Sequence, residues 1–193
     1  AYDFSFYNMF RENRFSGTDR VGDANQLTLA LTNRTFDNDT GEESFRLSIG
    51  EIFYFDDRTV HLTDATPDTI ASLNDSRSAF VGQIAMQLSQ NWSTQADLEW
   101  DHNRDDNQTS QSAIQLRYDN QDKTLFNLGY RYARDVFEQS DISFRFPITS
   151  HLNAVGRWDY SLRHDKTMES FAGLEYSNCC WALRAVSRRY IND

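Results

Sequence analysis

Two adjacent cysteines, Cys179 and Cys180, are the residues of this 193-residue sequence with the most evident chemistry. A thiol pair can form disulfides or hold a soft metal. No Cys/His set at zinc-ligand spacing accompanies them, so metal binding is poorly supported. Neighbouring residues on a strand point to opposite faces, so a bond between the two would need a strained turn. Partners outside this segment fit better, and an inert reduced pair is the plain alternative. The segment Arg14-Phe15-Ser16-Gly17-Thr18-Asp19-Arg20 offers two guanidinium groups and a carboxylate. Arg14, Asp19 and Arg20 could pair with one another in a lumen, or the arginines could meet lipid phosphates, whose geometry suits guanidinium. Asp101-His102-Asn103-Arg104-Asp105-Asp106-Asn107 is rich in oxygen ligands but lacks the Gly-punctuated spacing of a calcium loop. A solvated loop is the simpler reading there.

Catalysis finds little support. A hydrolase needs a His beside a carboxylate or a Ser nucleophile. His61, His102, His151 and His164 are scattered over loops and a turn, and none sits in a catalytic signature. Asn33, Asn91 and Asn107 each begin an Asn-X-Ser/Thr triplet, which polar strands and turns generate by chance. The expectation is a non-enzymatic chain with no cofactor and no metal.

The elements that position these residues are strands. In Trp92-Ser93-Thr94-Gln95-Ala96-Asp97-Leu98-Glu99-Trp100 one phase is Trp, Thr, Ala, Leu, Trp and the other Ser, Gln, Asp, Glu. A helix would scatter both sets around its cylinder. The same period of two recurs in 27–31, 80–88, 114–118, 126–132, 142–146 and 152–160. The stretch 45–55 begins likewise, but Glu51 falls on its apolar phase, which predicts a bulge near Gly50 or a position beyond hydrocarbon. The count is about eleven strands, most of roughly 9–11 residues, the length a tilted strand needs to cross a bilayer.

Composition agrees. The chain carries 14 Phe, 9 Tyr and 4 Trp, yet is only 39% hydrophobic, with a mean hydropathy of -0.70. No window approaches the ~20 apolar residues of a membrane helix, whereas a barrel wall needs apolar residues only at alternate positions. The net charge of -10 argues against a nucleic-acid partner. Short links at 90–91, 120–122, 147–150 and 177–178 fall at every second junction, with longer polar links such as 56–77 and 101–109 between them. Outer-membrane barrels show this contrast of tight periplasmic turns and longer outer loops. The fold class expected is all-β: an antiparallel transmembrane β-barrel segment, with a polar lumen wider than side chains alone would fill. Trp92, Leu98, Trp100, Ile114, Leu116, Phe126, Leu128, Phe144, Trp158 and Tyr160 should face lipid. Asp97, Glu99, Arg117, Arg131, Arg145 and Asp159 should face inward.

Phe10-Arg11-Glu12-Asn13-Arg14-Phe15-Ser16-Gly17-Thr18-Asp19-Arg20 resembles the LPS-assembly protein family of the outer membrane (LptD). So does Leu174-Glu175-Tyr176-Ser177-Asn178-Cys179-Cys180-Trp181-Ala182-Leu183-Arg184, where that family carries paired cysteines. Segments 48–55 and 128–132 fit in order between them, so the resemblance covers nearly the whole chain. It implies that residues 1–193 are the C-terminal part of a barrel of about 26 strands, within the range such proteins reach. The closing strands and the periplasmic domain would lie outside it. It also implies that Cys179 and Cys180 bond to cysteines outside this segment. The implied function is a share of the translocon that inserts lipopolysaccharide into the outer leaflet of the cell outer membrane. The implied partners are lipopolysaccharide, a lipoprotein plug inside the barrel, the periplasmic transport bridge, and the barrel-assembly machinery during folding.

A general porin or uptake channel is the alternative, because periodicity is common to both. A soluble β-sandwich would instead pack its apolar faces together. The odd strand count leaves two unpaired edges, expected near 2–9 and 181–190. Both must be covered by other strands, since unsatisfied backbone groups are costly in lipid.

Overall fold

The computed structural model describes residues 6–11, 21–23, 25–60, 72–103, 108–120 and 124–190. Ten strands follow one another: β1 (Gln26–Phe36), β2 (Glu43–Tyr54), β3 (Phe80–Gln87), β4 (Trp92–Asp101), β5 (Gln108–Asp119), β6 (Leu125–Ala133), β7 (Phe137–Pro147), β8 (Leu152–Ser161), β9 (Lys166–Ser177) and β10 (Ala182–Tyr190). They form a single sheet in the order of the sequence, β1 to β10, and each pairs antiparallel with its neighbours. The polypeptide is a meander, which short connections between antiparallel strands permit.

Local chemistry sets the turns. Between β1 and β2, Asp37 accepts hydrogen bonds from the backbone N–H groups of Asp39 and Thr40, both at 2.9 Å, and Gly41 takes a φ of +72°. Those N–H groups hold the Asp37 carboxyl below its ordinary pKa, Thr40 contributing most. The β6–β7 and β8–β9 turns place Asp135 and Asp165 at φ of 58° and 50°, a left-handed conformation that short acidic side chains tolerate.

The register fixes two faces. Paired residues share a face, so the rung Ser48, Gln83, Asp97, Ala113, Arg131, Gln139 and Ser161 lies on one side. The rung Met86, Thr94, Leu116, Leu128, Ile142, Trp158, Ser170 and Arg189 lies on the other. The fully buried side chains of the sheet, Ser48, Gln83, Asn153 and Ser161 among them, belong to the polar side. Leu98, Trp100, Ile114, Leu128, Phe144 and Trp158 are exposed on the other. A sheet curved toward its polar side buries residues this way. The outward and inward sets expected from the sequence fall on the faces assigned to them.

Two expectations need amendment and one needs placing. Among the described residues 6–10 there is no strand: Asn8–Phe10 form a 3-10 turn, because Phe6 and Met9 are buried against Ile52 and Val81. The sheet's first edge is therefore β1. The β1–β2 register runs unbroken through Gly50, but against β3 the pairing slips by one residue just beyond it, from Gly50/Val81 to Phe53/Arg77; further shifts occur at Thr35/Phe36, Glu99/Trp100 and Asp159/Tyr160. Glu51 keeps the outward phase, paired with Leu29, and lies near the end of β2. Finally, the contrast of short and long links rests on one connection. Residues 55–79 form a long link, but 102–107 is no longer than 37–42 on the opposite side, and 134–136 and 162–165 are as tight as the turns opposite.

Candidate functional site

The outward face is built for hydrocarbon. Its middle carries Leu31, Leu47, Ile84, Leu98, Ile114, Leu128 and Ile142, and aromatic residues bound it at both ends. On the side of the tight turns Trp92 stacks against Tyr118 with ring centroids 4.9 Å apart, and Tyr176 against Trp181 at 4.8 Å. Toward the other side lie Trp100, Trp158 and Tyr160, the last two with ring centroids 5.5 Å apart. From Trp92 to Trp100 the chain rises about 3.3 Å per residue. A strand tilt of about 40° reduces that to roughly 20 Å along the membrane normal, close to the apolar band of known barrels. Charges on this face sit near its edge. Glu51 lies 3.2 Å from Nε2 of His102, beside the outer links, which is the position beyond hydrocarbon that its phase required.

The inward face is wet and ionic toward β10. Arg145 reaches Glu175 at 3.3 Å, and Arg184 meets the same carboxylate at 3.6 Å. Arg188 pairs with Glu169 at 2.7 Å, and Arg157 with Asp159 at 3.0 Å. Each of these arginines is more than a third exposed, so individual pairs add little stability. Their collective effect is a water-compatible wall of both signs. Toward β1 the same face is different. Gly50, Ile52 and Val81 form an apolar patch covered by Phe6 and Met9, and the Met9 methyl would lie 2.9 Å from a Cβ at position 50. Only glycine lets the thioether that close. The cover is tied down: Thr28 donates to the Met9 carbonyl at 3.3 Å. The outer end of this wall is held by Arg58, whose guanidinium lies 3.6 Å from the Tyr54 ring centroid and donates to the Leu73 carbonyl. Asp23 accepts from the backbone N–H and hydroxyl of Thr59; the Thr59 N–H does most to lower the Asp23 pKa.

Cys179 and Cys180 lie in the link 178–181, not on a strand, and are exposed and unbonded to each other. The opposite-face argument therefore does not apply to them. A hydrogen bond donated by the Cys179 thiol to the Cys180 sulfur raises the Cys179 pKa above its ordinary value, which lowers its thiolate fraction. The turn is closed by Asn178, whose side-chain oxygen accepts from Cys179 N–H at 2.7 Å and whose N–H donates to the Trp181 carbonyl. Arg14, Asp19 and Arg20 lie outside the described residues, as do His61 and 104–107. Of the remaining histidines, His102 faces Glu51, and the His151 ring lies 3.2 Å from the Ser177 carbonyl. The structure does not bring these histidines together.

A protein-family model described as "LPS transport system D" matches residues 1–179. The chain belongs to the LptD family. It is 41% identical to the LPS-assembly protein LptD of Nitrosococcus oceani over 99% of its own length and 25% of that protein. The corresponding protein of Marinobacter nauticus is 41% identical over 98% of this chain and 23% of its own. That of Xylella fastidiosa is 38% identical over 100% and 24%. The chain thus spans about a quarter of the length of these LptD relatives. As an LptD chain it resides in the outer membrane of a Gram-negative bacterium.

Sequence reading missed three features of this LptD segment. The Phe6–Met9 cover is hidden because Tyr2, Phe4 and Phe6 alternate with a period of two and read as the start of a strand. The Glu51–His102 pair joins β2 to the link that follows β4, which no local pattern reveals. Arg189 was overlooked although its signal was present: in β10 it shares the phase of Leu183, Ala185 and Ser187, the phase of the lipid face.

Proposed function

We propose that this chain is part of the wall of the barrel that inserts lipopolysaccharide into the outer leaflet. Family membership carries the reading, and the physics of the two faces supports it. A phosphorylated glycolipid has a large polar head and several acyl chains. A hydrated inner face such as the Arg145–Glu175–Arg184 wall suits the head, and an outer face finished in hydrocarbon suits the acyl chains. In this reading residues 1–193 form the C-terminal portion of the barrel, lacking its closing strands. Cys179 and Cys180 are disulfide-bonded to cysteines elsewhere in the protein, on the periplasmic side, where thiols oxidise. A lipoprotein plug occupies the lumen, a periplasmic bridge delivers lipopolysaccharide, and the barrel-assembly machinery holds the open edges during folding. Arg14, Asp19 and Arg20 contact the lumen or lipid phosphate.

The test is depletion of the intact protein from its own bacterium, followed by measurement of lipopolysaccharide at the cell surface. Surface lipopolysaccharide should fall, and the wild-type gene should restore it. Normal surface lipopolysaccharide with impaired solute uptake would overturn the reading in favour of a general channel. In the same strain, the Cys179→Ser/Cys180→Ser double variant should lose a reduction-dependent shift in gel mobility. A shift that survives both replacements would show that these cysteines are not the cross-linked ones.

A further inference from the structure

We infer that the outward face of β8–β10 holds one phosphorylated acyl lipid, its phosphate paired with Arg189. Three observations converge on this stretch. The first is shape. A groove of about 510 Å³ crosses the lipid face there, floored by Ser170, Ala172 and Ser187 and walled by Phe144 and Trp158. Small side chains lie in register across it: Gly156 pairs with Ala172, and Ala172 with Ser187. The groove is thus a depression between bulky aromatic residues on an otherwise convex surface.

The second observation is polarity along its length. A second cavity of about 330 Å³ adjoins it toward the outer rim, sharing Trp158, Ser170 and Arg189 and lined also by Thr167 and Lys166. The lower compartment is bounded by ring and methyl groups and suits an acyl chain. The upper one carries the Thr167 hydroxyl beside the Arg189 guanidinium and suits an anionic head. Arg189 stands where the two meet, as an amphiphile's phosphate would.

The third is charge. Arg189 lies on the lipid phase, in register with Ser170, and makes no ion pair with another described residue. The interval from Trp181 to Arg189 equals that from Trp92 to Trp100, so β10 places a guanidinium at the level where β4 places its outer aromatic residue. That is headgroup depth, where the cost of an outward arginine is small. A guanidinium there suits bidentate pairing with a phosphate.

The experiment uses the protein isolated intact from the outer membrane in detergent, with native mass spectrometry as the readout. Dipalmitoyl phosphatidic acid is titrated against dipalmitoylglycerol, which has the same chains and no phosphate. The wild type should bind the phosphatidic acid at least about fivefold more tightly. Arg189→Ala should abolish that preference and Arg189→Lys should retain part of it. Ala172→Trp, which fills the groove, should weaken both ligands while leaving Arg189 in place. The proposal is overturned if Arg189→Ala preserves the preference. It is equally overturned if glycerol phosphate, which has no acyl chain, displaces the lipid at equal concentration. If Ala172→Trp fails to fold, the Arg189 pair and the glycerol phosphate competition still decide. These readouts are independent of lipopolysaccharide delivery, so failure of the proposed function would leave them interpretable.

Discussion

At the residue scale, the phase of each side chain decides its solvent. Leu128 is exposed in the middle of the outward face, and Leu128→Arg should destabilise the folded barrel by roughly 2–4 kcal/mol. Denaturant unfolding of the intact protein in vesicles would measure this, and Arg117→Leu on the inward phase serves as the contrast, with a much smaller change. A second prediction concerns Asp37, whose carboxyl is held below its ordinary pKa by the N–H groups of Thr40 and Asp39. A depressed carboxylate stabilises its turn above the unfolded pKa and loses that effect as pH falls through the folded one. Amide exchange at Asp39 and Thr40, corrected for intrinsic rates, should therefore accelerate in acid below the ordinary carboxylate range. Asp37→Ala should exchange fast throughout, and acid-independent protection in the wild type would refute the assignment. Phase was the most legible property of this sequence, because strict alternation leaves one assignment per strand. Less legible were pairs such as Glu51 and His102, whose proximity depends on the course of a long link.

At the element scale, close packing between strands depends on a few positions without side chains. A Cβ on Gly173 would collide with the Ala185 carbonyl oxygen and lie 2.5 Å from a Val186 methyl group. Because the first obstacle is backbone, Gly173→Ala should force β9 and β10 apart and cost about 1–3 kcal/mol, as overpacking does. Gly82 has only the Phe80 ring, at 4.0 Å, so Gly82→Ala should change stability by less than about 0.5 kcal/mol. Equal effects at the two positions, measured by the same unfolding assay, would contradict the register. Strands such as β4 and β8 were plain in the sequence because their apolar phase is unbroken. The turns 134–136 and 162–165 were less plain. Their left-handed residues are Asp135 and Asp165, and aspartate is also frequent in longer polar loops, so composition does not give link length.

At the scale of the whole molecule, β1 and β10 each pair on one side only among the described residues. Backbone groups along both edges need partners in lipid. The 193-residue chain, refolded alone in detergent, should therefore not yield a monomer with the heat-modifiable gel migration of a closed barrel. Cysteines placed at Leu29 and Ser187 should cross-link between molecules in preference to within one. A monomeric, heat-modifiable species with that pair joined internally would show a small closed barrel instead. Alternation indicated that edges must exist, but not where the first one lies, because the spacing of Tyr2, Phe4 and Phe6 reads as a strand until the patch beneath Phe6 and Met9 is seen.

The uninterrupted order β1 to β10 also has a mechanical meaning. No strand is pinned between two that are distant in the chain, so nothing locks the sheet from the middle. Pulled by one end from a bilayer, it should peel one hairpin after another and give a sawtooth of force peaks. Each tooth would release a hairpin such as residues 152–177, roughly 90 Å of extended chain at about 3.4 Å per residue.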